Sequence, residues 1–86
     1  MDISILQSLI KRNSNHIARC EEKLEWYLVV LQAVPAEEKV DYRRYVSIER
    51  STIKMLARIQ KLLKRDMAKM VGEMKHEKFL MRMRNK

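Results

Sequence analysis

The stretch QAVPAEEKVD, residues 32–41, contains the only proline of an 86-residue chain. Proline lacks the N–H that would continue a preceding helix, and its ring pushes the residue before it, Val34, into extended backbone. Ala36-Glu37-Glu38 then resembles a helical first turn, with carboxylates near the positive end of the helix dipole. Asp41 is a second candidate N-cap. The chain therefore divides into a helix over about residues 3–33, a turn over about 34–41 and a helix over about 42–84, the second helix starting somewhere between residues 36 and 42.

Composition agrees with helices on both sides of this break. There is one Gly beside the one Pro, and Met, Leu, Lys, Arg, Glu and Gln dominate. These are strong helix formers, so the class is all-α. Gly72 follows a Lys-rich turn and suits a helix C′ position, where the second helix would be interrupted. A continuous helix is the preferred reading, and its basic end then projects beyond the first helix.

Each helix carries a heptad. Ile3, Leu6, Ile10, Asn13, Ile17, Cys20, Leu24, Tyr27, Leu31 and Val34 follow 3-4 spacing through the cap-type cluster Asn13-Ser14-Asn15. In the second helix Val46, Glu49, Ile53, Leu56, Gln60, Leu63, Met67, Met70, Met74, Glu77 and Met81 do the same. Such seams predict helix against helix in coiled-coil style. Leu9, Leu28 and Val30 widen the first seam, and Ile59, Leu62, Val71 and Leu80 the second. A lone hairpin leaves these wet, so the expected architecture is a long antiparallel helical hairpin assembling into a dimeric or higher bundle. Ile10, Asn13, Ile17, Leu24, Ile53, Leu56, Leu63, Met67 and Met70 are the expected oligomer interface. A chain this short buries a small fraction of its surface, which also favours a homo-oligomer.

The net charge of +8 points to an anionic partner. It is unevenly placed, with +5 on residues 53–69 alone. Lys54, Arg58, Lys61 and Arg65 recur at helical steps opposite the seam, and Lys69 extends the row. Like charges one turn apart repel, so ordinary solvated faces mix signs. A hairpin folded about residue 38 brings Glu21, Glu22 and Glu25 near Arg50 and Lys54. It also sets Lys11 and Arg12 near Lys64 and Arg65, leaving the open end basic. Lys54, Arg58, Lys61, Lys64, Arg65, Lys69, Lys11 and Arg12 are therefore the candidate nucleic-acid-binding residues. Their contacts would go to phosphates of DNA or RNA, since no helix-turn-helix, zinc-finger or RNP-type pattern is present for reading bases. The alternative is a regulatory, assembly or inhibitor protein that grips an acidic protein through this basic face and the Met-rich end.

Other residues invite chemistry but have plainer readings. Cys20 falls on the seam and reads as a buried structural thiol, while a single cysteine fits a reducing cytoplasm. His16 and His76 lack partners at ligand spacing, so neither a metal nor a cofactor is expected. Asn13, polar within a seam, sets register or oligomer state, or else caps a break in the first helix. Trp26, Tyr27, Tyr42 and Tyr45 close the core beneath the turn, or with Arg43 and Arg44 form a stacking platform for bases. With no nucleophile–base pair and no phosphate loop, the expected protein is not an enzyme. Its start lacks a basic n-region and its longest apolar run is short, so no leader, membrane span or membrane partner is expected.

Overall fold

The computed structural model describes residues 2–84. Two helices, α1 (Ile3–Ala33) and α2 (Ala36–Arg84), form an extended antiparallel hairpin, with no strand among the described residues. Asp2 caps α1. Its carboxylate accepts from the Ser4 amide at 3.4 Å and the Ser4 hydroxyl at 2.7 Å, and its carbonyl accepts from the amides of Ile5 and Leu6. This satisfies donors that the first helical turn otherwise leaves orphaned.

At the other end, Val34 is extended at φ −82° and ψ 155°, as a residue before proline must be. α2 begins at Ala36, at the early limit of the expected range of 36–42. Pro35 itself supplies the cap, its carbonyl accepting from the Glu38 amide at 3.0 Å. Glu37 and Glu38 then occupy the first turn, where the dipole favours them, and Asp41 lies one turn inside the helix.

This short link also moves the register. A hairpin pivoting about residue 38 sets Asn13 level with Leu63; in the structure Asn13 bonds to Leu56 and Gln60 instead. The pivot lies near Pro35, so α2 is shifted by about one helical turn.

The seam is narrow. Leu6, Cys20, Val46 and Leu56 are buried, and Ile10, Ile17, Leu24, Ile53, Leu63, Met67 and Met70 are half-buried. The residues expected at an oligomer interface thus line the seam between α1 and α2 of one chain, with part of each still open. Tyr27 centres an aromatic cluster at the turn end, its ring centroid 5.4 Å from Trp26, 5.5 Å from Tyr45 and 6.3 Å from Tyr42. Trp26 nonetheless stays 58% exposed.

The molecule is 76 Å long and 16 Å wide. The 49 residues of α2 at 1.5 Å each account for about 74 Å, so α2 runs nearly straight through Gly72. Leu6, near the start of α1, shares a groove with Asp66 and Met70. Beyond that level α2 has no helix beside it, and every residue from 72 to 84 is exposed.

Candidate anion-binding surface

Helical geometry puts Lys54, Arg58, Lys61 and Arg65 on the back of α2, opposite buried Leu56, and all four are exposed. The row continues toward the turn. An open groove is walled by Arg43, Arg50 and Lys54, with the hydroxyls of Ser47 and Ser51 between them and Leu28 and Leu31 on the α1 side. Arg43 was expected only beside the aromatic cluster and Arg50 only beside the acids of α1, and neither was expected in the phosphate-binding row. Arg43, Arg50, Lys54 and Lys61 recur at steps of 7, 4 and 7, a helical-face signal that a search starting at Lys54 passes over.

From Arg43 to Arg65 this face spans about 33 Å of helix. The acids of that interval, Glu49 in this case, lie on the seam instead. The carboxylates Glu21, Glu22 and Glu25, expected beside Arg50 and Lys54, do not line the groove. Arginine suits such a place because its fork of N–H donors can hold a phosphate by two bonds, and a serine hydroxyl can add a third.

The remaining candidates divide. Lys11 and Lys64 share a groove with Gln60 and Met67, so these two cations do meet across the hairpin. Arg12 lies on the other side, beside Leu9, His16 and Ile59, away from Lys64. One residue of rotation separates Lys11 from Arg12, about 100° around the helix, which a level-by-level pairing ignores. Lys69 shares its groove with Asp66 and Glu73, which reduces the field it presents.

Within the seam, Asn13 Nδ2 donates to the Leu56 carbonyl and to Gln60 Oε1, both at 2.9 Å, and Gln60 Nε2 donates to the Ile10 carbonyl at 3.1 Å. Cys20 is buried, and its thiol pKa is pushed up by that burial, by its hydrogen bond to Glu49 and by the charge of Glu49, against a small opposing effect of Lys23. The thiol is therefore kept in its unreactive protonated form. Glu77 is exposed on the part of α2 beyond α1. No group of His, Cys, Asp and Glu side chains among the described residues has the geometry to hold a metal ion. No helix among them is long and apolar enough to cross a membrane.

Comparison with models of known protein families, with curated proteins and with solved structures finds no match to this chain.

Proposed function

We propose that this protein binds nucleic acid through its phosphates, without catalysis, as a cytoplasmic homo-oligomer. One observation carries the reading: six cations, Arg43, Arg50, Lys54, Arg58, Lys61 and Arg65, share an exposed face of α2 that holds no acid. Solvated helix faces relieve such repulsion by mixing signs, whereas a polyanion relieves it by binding. Lys11 and Lys64 extend the same positive field toward the open end.

Titration of labelled duplex and single-stranded nucleic acid at several salt concentrations tests it. Each phosphate neutralised adds about 0.9 to the slope of log affinity against log salt on a duplex. Replacing Lys54, Arg58, Lys61 and Arg65 by Gln should flatten that slope and weaken binding alike for all base sequences. No binding at low salt overturns the proposal.

A second reading rests on the projecting end of α2. Met74, Phe79, Leu80, Met81 and Met83 are all exposed there, interspersed with Lys and Arg. Adaptable methionines beside positive charge suit the surface of an acidic protein. On that reading Met81→Ser and Phe79→Ser abolish partner binding, while nucleic acid does not bind at all.

A further inference from the structure

The apolar residues left outside the seam of α2 are not scattered. Asp41, Tyr45, Ile48, Thr52, Met55, Ile59, Leu62, Asp66, Lys69 and Glu73 follow strict 4-3 spacing, a second heptad on the flank of the first. Its centre is apolar and open: Ile48 and Met55 are each 54% exposed, Leu62 50% and Ile59 40%. Thr52, the polar member of this block, donates its hydroxyl to the Ile48 carbonyl at 2.9 Å, so covering it strands no donor. Charges are confined to the two ends.

We propose that this stripe is the seam of a homodimer, in which α2 packs against α2 of a second copy, antiparallel, with the two-fold axis at Met55. The charges select this partner and direction. Turned about Met55, Ile48 meets the partner's Leu62, Arg44 meets the partner's Asp66, and Asp41 meets the partner's Lys69. Met55 meets its own copy, and an isologous contact reads identically from both sides. A parallel pairing instead places Asp41, Arg44, Asp66 and Lys69 each against itself, four like-charge contacts. In the antiparallel seam only Glu73 meets a like charge, Glu37, at the outer end where solvent screens it.

α1 does not compete for the role. Its corresponding edge carries Arg12, His16, Arg19 and Lys23 at 4-3-4 steps, which repel their own copies. The hairpin also needs such a cover, because no side chain in it is fully buried among the described residues. Arg58 and Arg65 flank this stripe, level with the partner's Thr52 and the partner's Tyr45, while Arg43, Arg50, Lys54 and Lys61 lie on the far side of α2 and stay open in the dimer. The inference thus rests on the oligomeric part of the proposed function and not on phosphate binding.

Disulfide trapping in a Cys20→Ala background tests the geometry. Met55→Cys should cross-link to itself, whereas Ile48→Cys and Leu62→Cys should each stay single and cross-link when mixed. Arg44→Asp should weaken the dimer about tenfold through its two symmetric pairs, and Arg44→Asp with Asp66→Arg should restore it. Sedimentation of the wild-type protein as a monomer at tens of micromolar overturns the inference. So does self-cross-linking of Ile48→Cys, which signals a parallel seam, or a dimer that none of the three cysteines traps. Trapping without nucleic-acid binding leaves the dimer standing and removes the phosphate reading; phosphate binding by a monomer does the reverse.

Discussion

The side-chain amides of Asn13 and Gln60 hold α1 and α2 together, each donating a hydrogen bond to the opposite helix. Asn13 Nδ2 donates to Gln60 Oε1 at 2.9 Å, and Gln60 Nε2 returns a bond to the Ile10 carbonyl at 3.1 Å. Both amides sit half-buried in a seam made mostly of apolar side chains. Slipping one helix by a turn would break both sets at once and leave the amides unpaired.

Asn13→Ala should therefore destabilise the fold by about 1–3 kcal/mol, because Gln60 Oε1 loses its donor and the Leu56 carbonyl loses a second one. Gln60→Ala should cost a similar amount, and the double variant less than the sum of the two. Asn13→Leu with Gln60→Leu should recover most of the stability while relaxing the register, since leucines pack at several offsets. Urea unfolding gives the energies, and cross-linking between the helices reads the register. Strict additivity of the single changes would mean that the two amides do not act together.

The Cys20 thiol should react slowly with thiol reagents at neutral pH and speed up only above the ordinary thiol range. Burial is the main cause, with Glu49 second. Glu49→Gln should shift the rate profile toward lower pH without removing the burial effect. The linkage has a definite sign. A thiol whose folded pKa is raised contributes stability below its unfolded pKa and loses it as pH climbs through the folded one. Alkaline unfolding should accordingly be delayed in Cys20→Ala relative to the parent, as measured by circular dichroism.

Gly72→Ala should strengthen α2. Gly72 is helical, no glycine among the described residues has positive φ, and a Cβ added there meets nothing within 4 Å. Alanine should then gain about 0.5–1 kcal/mol in helix formation. Higher helical signal and slower amide exchange at residues 73–84 are the expected readouts. An unchanged or lower helicity contradicts a continuous α2.

Asp2 should titrate below the usual carboxylate range, chiefly through its side-chain bond with Ser4. A depressed folded pKa contributes stability above the unfolded pKa and loses it as pH falls through the folded value. The Ser4 amide should thus lose protection in acid, and Asp2→Ala should show that loss already at neutral pH.

The helical hairpin was legible because Pro35 is the only strong breaker and both heptads run without a slip. Asn13-Ser14-Asn15 resembles a cap cluster, yet the seam passes straight through it, and so does α1. The start of α2 was not legible in the same way. Asp41 carries as good a cap signature as the turn itself, and only the path of the chain shows that Pro35 does the capping. The early start carried into the register, which is shifted by about one helical turn. Exposure of Lys54, Arg58, Lys61 and Arg65 followed from their spacing opposite Leu56. Separation of Lys11 from Arg12 needed the rotation between neighbouring helical positions. Arg43, Arg50 and the stripe through Met55 were hidden by the stronger pattern beside them.

The stretch of α2 beyond α1 has a thermal consequence. Starting a helix is the costly step, and residues 74–84 inherit a start already made by the packed part of α2. Their order is governed by propagation alone, one residue at a time, with no tertiary partner to make it all-or-none. On warming, this end should unwind gradually from Arg84 inward while the hairpin holds. The helical signal should therefore slope downward well before the cooperative transition, and truncation after Glu73 should remove the slope while sparing the transition.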